Sequence, residues 1–330
     1  MIPDGTILLS RKEVRSLLSI DECIDAVEKV FRLSGEGKTP PPGILGIRAP
    51  GGGFHIKAGL LEDDRLYFAA KLNSNFPENP VRTKLPTIQG VIVLCDGENG
   101  FPLAVMDSIE ITILRTGAAT AVAAKYLSRN DSDTVTVCGC GTQGRIQLRS
   151  LLKVRALKRA FFYDANPAHA ERLAKEFSGE ITCEPVPANQ LSSSLGKSAI
   201  CVTCTPSEQF FIRHGDISPG TFIAAVGADS EHKQELDPLL FASARVIVDS
   251  LDQCATIGDL HHALDAGVLK RSEVHADIGE VAAGKKPGRT SDEEVTIFDS
   301  TGIALEDCAA ALRVYKKALK NRSGKLTHFD

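Results

Sequence analysis

Residues 134–164, which read TVTVCGCGTQGRIQLRSLLKVRALKRAFFYD, decide the fold of this chain. The β-branched and apolar run 134–138 is typical of a buried parallel strand. It leads directly into the pattern GxGxxG of residues 139–144. An amphipathic run over 146–154 then predicts a helix, and the next apolar run predicts a second strand that ends at Asp164. These elements in this order predict a β-α-β unit that binds a dinucleotide. The alternative is a tight turn between strand and helix that binds no ligand.

The glycines and the terminal acid have separate roles in this prediction. Gly139 permits the tight turn, Gly141 lets the backbone approach a pyrophosphate, and Gly144 lets the helix pack closely on the strand. The N-terminus of the helix offers free N–H groups and a positive dipole end to the phosphates. Asp164 lies 20 residues after Gly144, where an acid accepts hydrogen bonds from the adenosine ribose. It favours NAD, because it would repel the 2′-phosphate of NADP, but basic residues soon after it leave NADP possible.

The composition limits the class of protein. The 330 residues, 43% hydrophobic and 24% charged, suit a globular protein of about two domains. The net charge of −4 gives no electrostatic case for a nucleic-acid partner or an anionic membrane. The sequence also predicts no signal peptide and no membrane span. Nine cysteines, several of them in apolar strands, indicate reduced thiols, and we therefore expect a cytoplasmic protein.

Two patterns resemble metal sites, but we expect no metal. Cys201 and Cys204 form a CxxC at the end of an apolar strand, where the two side chains point to opposite faces. No second pair completes a zinc site. His261 and His262 are adjacent, so they cannot share one helix face. Buried core cysteines are the preferred interpretation.

The rest of the chain continues an α/β pattern. Between residues 133 and 250, strand-like runs alternate with helical ones and predict a doubly wound parallel sheet. The region before residue 109 contains short strands and two helices, which is typical of an α+β arrangement. Further strands of the sheet are predicted at 181–185, 198–203, 221–226 and 244–249, and one long helix is predicted at 109–127.

Two charged residues are candidates for chemistry. Arg115 lies among small and apolar residues of the long helix, where an unpaired guanidinium would be costly. It either pairs with Glu110 or another carboxylate, or clamps a substrate carboxylate or cofactor phosphate, and we favour the clamp. Asp229 follows the predicted strand 221–226, at the edge where open α/β sheets bind ligands. It could exchange a proton with a substrate amine, and the alternative is a cap for the turn that follows.

Several sequence blocks, in one order, resemble the ornithine cyclodeaminase/mu-crystallin family, which also holds archaeal-type alanine dehydrogenases and cyclic ketimine reductases. The resemblance covers nearly the whole chain. It implies an NAD(P)-binding Rossmann domain at 119–302, inserted in a smaller α+β substrate-binding and dimerisation domain at 1–118 plus 303–330. The blocks are LPTI (85–88), FPLAVMD (101–107), LRTGA (114–118), GCGTQ (139–143), VGADSEHKQELD (226–237) and FDSTGIALED (298–307).

The resemblance also implies roles for individual residues. The implied catalytic residues are Asp229, as the acid/base, and Lys71, which would also bind the substrate carboxylate. The implied substrate-binding residues are Lys71, Arg115 and Thr301. The implied cofactor-binding residues are Thr87, Arg115, Gly139, Gly141, Thr142, Gln143, Gly144, Asp164, Thr205, Val226, Gly227, Lys233 and Ser300.

One position departs from the family pattern. Members commonly carry Arg or Lys directly after a double-proline segment as a second carboxylate anchor, whereas Gly43 stands there in this chain. We expect Lys57, on the neighbouring strand, to supply the missing cation and to join the substrate-binding residues. Arg48 is a weaker candidate for that role.

The implied function is an NAD(P)-dependent oxidoreductase acting on the Cα–N bond of an amino acid or its imine. Ketimine or pyrroline-2-carboxylate reductases and amino-acid dehydrogenases are of this type. One alternative is an ornithine cyclodeaminase, which converts L-ornithine to L-proline plus ammonia with tightly bound NAD. Another is a non-catalytic protein that binds NADPH and a small ligand. The resemblance further implies a homodimer and a small amino-acid or imino-acid substrate.

Overall fold

The computed structural model describes residues 5–329. Residues 1–4 and 330 lie outside the described part. They include both ends of the predicted smaller domain and the first residues of the N-terminal segment, for which the sequence predicts no signal peptide. The chain divides into two compact units. Met1–Arg115 and Ile303–Asp330 form the first unit, and Thr116–Gly302 forms the second.

The described residues form strands and helices with the following bounds. The strands are β1 Thr6–Leu9, β2 Gly43–Ala49, β3 Gly52–Glu62, β4 Leu66–Asn75, β5 Ile88–Asp96, β6 Pro102–Asp107, β7 Thr134–Cys138, β8 Arg159–Tyr163, β9 Thr182–Pro185, β10 Ile200–Thr203, β11 Phe222–Ala225, β12 Arg245–Val248, β13 Ala276–Asp277, β14 Thr296–Asp299 and β15 Lys325–Thr327. The helices are α1 Arg11–Leu17, α2 Ile20–Gly35, α3 Asn79–Arg82, α4 Ile109–Leu127, α5 Thr142–Leu151, α6 Pro167–Phe177, α7 Leu191–Leu195, α8 Leu239–Ser243, α9 Leu251–Ile257, α10 Asp259–Asp265, α11 Ile278–Ala282 and α12 Ala304–Asn321.

The first unit is built on a mixed seven-stranded sheet in the order β15-β1-β6-β5-β4-β3-β2. Strand β1 runs parallel to β6, and the other neighbours are antiparallel. The helices α1 and α2 begin at Ser10 and Ser19, each of which forms a reciprocal capping box with a glutamate three residues later. Helix α12 packs across β3 and β4 and against α2, and so brings the end of the chain onto this sheet.

The second unit is a parallel eight-stranded sheet in the order β13-β12-β14-β11-β10-β7-β8-β9. Strands β10 and β11 are buried along their whole length, as expected for a sheet covered on both faces. The chain winds outward from β7 in one direction and returns to β10 on the other side, which makes the carboxyl ends of β7 and β10 the switch point where such sheets bind ligands. The predicted α/β fold with a Rossmann-type parallel sheet is confirmed.

Two details differ from the sequence predictions. Helix α5 begins at Thr142, four residues before the amphipathic run suggested, because Gly141 serves as its N-cap. Strand β14 is the last strand of this sheet in sequence, yet it lies between β11 and β12. Hydrophobic periodicity marks a strand but carries no information about its neighbours, so this insertion was not predictable.

Candidate active site

The loop between β7 and α5 has the geometry of a phosphate-binding turn. Gly139 has φ +98°, and a Cβ on Gly144 would lie 2.0 Å from the Gly139 carbonyl oxygen, so both positions require glycine. A Cβ on Gly141 would meet no atom of the described residues within 4 Å. Gly141 also provides no side-chain cap for α5, which leaves the N–H groups of Thr142 and Gln143 available at the helix N-terminus. These features fit a dinucleotide pyrophosphate.

Asp164 connects this loop to the end of β8. One carboxylate oxygen accepts a hydrogen bond from Cys140 N at 2.8 Å, and the other accepts one from Asn166 N at 2.9 Å. The side chain keeps 16% of its surface exposed. Asp164 therefore braces the glycine loop, and its contact with a ribose stays a prediction.

Asp229 and Lys233 form an ion pair beyond the end of β11. The Oδ1 atom of Asp229 lies 2.6 Å from Nζ of Lys233. The Asp229 side chain is 55% exposed, whereas that of Lys233 is 23% exposed. The Asp229 carboxylate pairs with Lys233 within the segment that follows β11, and its role in proton transfer stays a prediction. The contact of Lys233 with a cofactor stays a prediction.

Hydrogen bonds donated by backbone N–H groups fix the loops around Thr205 and Gly227. Thr205 N donates to Oε1 of Glu235 at 2.6 Å, and Gly227 N donates to Oε2 of the same residue at 2.9 Å. Val226 N donates to the carbonyl oxygen of Thr203 at 2.9 Å. The ends of β10 and β11 are therefore tied together at the edge of the sheet.

Ser300 and Thr301 follow β14 and are organised by a buried acid. Ser300 Oγ donates to Asp249 at 2.9 Å, and Gly302 N donates to the same carboxylate at 2.5 Å. Thr301 Oγ1 accepts from Gln253 Nε2 at 2.7 Å. The predicted contacts of Ser300 with the cofactor and of Thr301 with the substrate remain predictions.

A buried cluster of charges lies on one face of the sheet in the first unit. Nζ of Lys71, on β4, lies 2.7 Å from Oδ2 of Asp307. Nη1 of Arg115 lies 3.1 Å from Oε2 of Glu306, and its Nε lies 3.4 Å from Oδ1 of Asp307. Lys57 stands directly opposite Lys71 on β3 and shares its face of the sheet. We call these five residues the charge cluster. It holds three cationic and two acidic side chains.

The structure shows which carboxylates pair with Arg115. Glu110 does not pair with it but accepts hydrogen bonds from Arg11 and Arg15, both at 2.6 Å. Glu110 and Arg115 are five positions apart, which places them on different sides of α4. The acids that pair with Arg115 come instead from the start of α12. The ion-pair interpretation of Arg115 thus holds with other partners, and its role as a ligand clamp stays a prediction.

Burial and charge act against each other within the charge cluster. Desolvation lowers the pKa of Lys71 to about 8, with Asp307 opposing and Arg115 and Lys57 adding to the effect. Burial acts to raise the pKa of Asp307, but Lys71 and Arg115 outweigh it, so this pKa is lowered. Asp307 is therefore ionised at neutral pH. Several cations held close together make the charge cluster suited to an anionic ligand.

Gly43 and Lys57 lie on neighbouring strands but on opposite faces of the sheet. Gly43 pairs with Ala58, whereas Ile44 pairs with Lys57. Alternation along the strand therefore puts position 43 on the opposite face from Lys57 and Lys71.

Thr87, the remaining predicted cofactor contact, lies just before β5, where its carbonyl oxygen accepts a hydrogen bond from Phe76 N at 2.8 Å.

Sequence reasoning missed the acids that organise these sites. Glu306 and Asp307 had the appearance of ordinary acids in the first turn of a helix, but they are 0% and 2% exposed. Their signal is an apolar environment, since Ala304, Leu305 and Cys308 flank them on a buried helix. Glu235 and Asp249 are likewise buried acids beside loop residues.

Other site types find no support in the described part of the chain. Across residues 5–329, no group of three or more His, Cys, Asp and Glu side chains is arranged to hold a metal ion. None of the helices described there is both long and apolar enough to cross a membrane. All nine cysteines are free thiols, and Cys201 is fully buried in β10.

The chain is similar in sequence and structure to known proteins along nearly its whole length. The chain matches the ornithine cyclodeaminase/mu-crystallin family model over residues 5–322. It is 40% identical to alanine dehydrogenase of Archaeoglobus fulgidus over 326 residues, which are 98% of this chain and 99% of that protein. An archaeal alanine dehydrogenase dimer with bound NAD has a TM-score of 0.94 and 38% identity, over 99% of this chain and 100% of that one. Thermococcus litoralis Δ1-pyrroline-2-carboxylate reductase, in complex with NADH and L-proline, has a TM-score of 0.91 and 34% identity, over 98% of this chain and 100% of that one.

Proposed function

Because the chain belongs to the ornithine cyclodeaminase/mu-crystallin family, we propose that it reduces a small 2-imino acid to the amino acid, and catalyses the reverse oxidation. The protein is an oxidoreductase that acts on the Cα–N bond of an amino acid or its imine and uses NAD. The observation that carries the choice of substrate is the charge cluster. It brings the cations Lys57, Lys71 and Arg115 together on one side of the first unit's sheet, which suits recognition of a carboxylate.

The charge cluster supplies the carboxylate site. Lys71 and Lys57 lie opposite each other on one sheet face, where two like charges repel unless an anion lies between them. A substrate carboxylate there would lie beside the cations of the charge cluster and accept hydrogen bonds from them. Asp307 and Glu306 hold Lys71 and Arg115 in place, so the cations are oriented before the substrate arrives.

The second unit supplies the cofactor site and the proton. The open surface at Gly141 and the N–H groups of Thr142 and Gln143 would hold the pyrophosphate, and Asp164 the adenosine ribose. Bound NAD supplies the hydride chemistry at the carbon of the C–N bond. Asp229 gives a proton to the imine nitrogen during reduction and takes one from the amine during oxidation. Lys233, at 2.6 Å, holds its carboxylate.

We also propose that the protein is a homodimer. Exposed apolar side chains cover the sheet face opposite Lys71, and we call this surface the outer face. Their exposed fractions lie between 37% and 52%, and an apolar patch of this kind marks an interaction surface. The outer face comprises Leu45, Ile47, Phe54, Leu72 and Val91, which neighbour one another in the strand register.

The thiols favour a reducing compartment. All nine cysteines are unbridged, including Cys95 and Cys183, which are only half-buried. Free thiols persist where cellular reductants keep them reduced. We therefore propose that the protein acts in the cytoplasm.

The direct test measures oxidation of NADH by the purified protein. Candidate substrates are cyclic imino acids and 2-oxo acids supplied with ammonia, and absorbance of the reduced nicotinamide reports turnover. We expect NADH oxidation with at least one of these classes and none with the matching compounds that lack the carboxylate. Ammonia release from ornithine with catalytic NAD and no net redox change would instead establish a cyclodeaminase. If NADH binds but no assay shows NADH oxidation or ammonia release, both the oxidoreductase and the cyclodeaminase function are contradicted.

The variant Asp229→Asn tests the proton-transfer role. It retains the size of the side chain but cannot exchange the proton, so we expect kcat to fall by about 10²–10⁴-fold. The Kd for NADH, measured by the fluorescence of its reduced nicotinamide, should stay within about threefold because the pyrophosphate site is untouched. Glu231→Gln, at an exposed acid two residues away, is the matched control and should retain kcat. Equal losses in both variants, or loss of NAD binding, would show that Asp229 has another role.

A further inference from the structure

A buried carboxylate, Glu235, joins the two loops that follow β10 and β11. Its side chain has no exposed surface. Oε1 accepts a hydrogen bond from Thr205 N at 2.6 Å, and Oε2 accepts one from Gly227 N at 2.9 Å. Since β10 and β11 are parallel neighbours, one carboxylate connects adjacent loops at the edge of the sheet where ligands bind.

The backbone of Glu235 is also held in place. Its N–H donates to Oδ1 of Asp259 at 2.7 Å. Its carbonyl oxygen accepts hydrogen bonds from the N–H groups of Phe211 and Ile212, both at 3.1 Å. Burial and the nearby Asp259 raise the pKa of Glu235 to about 8, so the bridge is carried by the geometry of its hydrogen bonds. The side chain therefore starts from a fixed point, and a shift of the carboxylate would break bonds to both loops.

Gly227 leaves no space between the two loops. A Cβ at this position would lie 2.4 Å from Oε2 of Glu235 and 2.5 Å from the carbonyl oxygen of Thr205. Non-bonded contacts of a Cβ are essentially never this short, so any side chain at 227 would displace the carboxylate or the Thr205 loop. Glu235 can therefore bridge the two loops only if residue 227 is glycine.

The bridge closes the segment that carries Asp229. Gly227 and Glu235 bound this segment and are bonded to each other, and Asp229 pairs with Lys233 inside it at 2.6 Å. We propose that Glu235 is a positioning residue, which fixes Asp229 relative to Thr205 through the two backbone hydrogen bonds. The inference rests on the proposed function, because that function gives Asp229 the proton transfer and Thr205 a cofactor contact.

The variant Glu235→Gln tests this role in the full-length enzyme. Glutamine keeps one acceptor oxygen, but its NH₂ group faces an N–H donor, so one of the two loops is released. We expect kcat to fall about tenfold to a hundredfold, because displacement of a reacting group by about 1 Å has an effect of this size. The substrate KM should change by less than about threefold, since the charge cluster is untouched.

A stability control separates positioning from general destabilisation. Val246→Ala, in the buried strand β12, removes core volume without removing a hydrogen bond of Glu235 and should lower the melting temperature. It should retain kcat at a temperature where both variants are folded. Loss of kcat in Val246→Ala equal to that in Glu235→Gln, or unchanged kcat in Glu235→Gln, would overturn the proposal.

Hydrogen exchange on the wild-type holoenzyme tests the bridge without relying on a variant. The amide hydrogens of Thr205 and Gly227 should exchange slowly, and rapid exchange of both would overturn the proposal even if Glu235→Gln fails to fold. Missing turnover in the wild type would contradict the proposed function instead, whereas normal wild-type turnover with fast exchange contradicts this inference alone.

Discussion

Lys71 places a positive charge where a charge is costly. Its side chain is 3% exposed, and desolvation lowers its pKa to about 8 against the opposing effect of Asp307. Lys71 is therefore cationic at neutral pH but loses its proton within a pH range that an assay can reach. At the scale of single residues, the charge of Lys71 in the proposed carboxylate site would therefore change with pH while that of Arg115 stays constant.

We expect kcat/KM to fall as the pH rises through about 8. Neutral Lys71 no longer attracts the substrate carboxylate, and kcat/KM reports the ionisation of groups in the free enzyme. Lys71→Arg retains its positive charge throughout this range, so the fall should move to higher pH. Titration of the substrate is common to both enzymes and cancels in the comparison. An identical alkaline fall in Lys71→Arg would mean that another group titrates.

The second scale is the element, where helix α5 shows two uses of glycine. A Cβ on Gly144 would lie 2.0 Å from the Gly139 carbonyl oxygen, so this glycine permits packing. A Cβ on Gly141 would meet no atom of the described chain within 4 Å, so packing does not require glycine there. Besides serving as the N-cap of α5, Gly141 is proposed to allow the close approach of a ligand to the backbone.

Alanine substitution should separate these two uses. Gly141→Ala should weaken NAD binding by about tenfold, or about 1.4 kcal/mol, with little change in melting temperature. Gly144→Ala should lower the free energy of unfolding by about 1–3 kcal/mol, because α5 must move away from β7. Calorimetric titration and thermal unfolding measure the two effects. Wild-type affinity in Gly141→Ala would exclude a pyrophosphate at this helix.

For the whole molecule, the sheet of the first unit has two faces with different roles. One face carries Lys57 and Lys71 of the charge cluster, and the outer face carries exposed apolar side chains such as Leu72 at 41% exposure. Period-two alternation along β3 and β4 separates these roles. A homodimer through the outer face would therefore leave the charge cluster on the opposite side of the sheet.

The variant Leu72→Asp should weaken the dimer. A carboxylate buried in an apolar interface without a partner is costly, so we expect the dimer Kd to rise at least about tenfold. Leu239→Asp, at a leucine that is 54% exposed in the second unit, is the control. Sedimentation velocity over a range of concentrations measures both. A monomeric wild type, or equal effects of the two substitutions, would contradict the dimer through this face.

The sequence by itself determined features that depend on residues close together in the chain. The long helix begins and ends at the predicted residues, Ile109–Leu127. Ser10 caps its helix as expected, and the glycine loop stands between a strand and a helix. Caps, turns and hydrophobic periodicity are short-range effects, so they can be read without knowledge of the rest of the fold.

Only the tertiary structure decided which distant groups meet. Arg115 and Glu306 are 191 residues apart in sequence, and no local signal pairs them or brings Asp307 to Lys71. Similarly, Glu235 became a bridge only once β10 and β11 lay side by side. The physical reason is that a buried charge must find its partner wherever packing brings one. The packing of α12 on β3 and β4 is a property of the whole first unit and not of any segment.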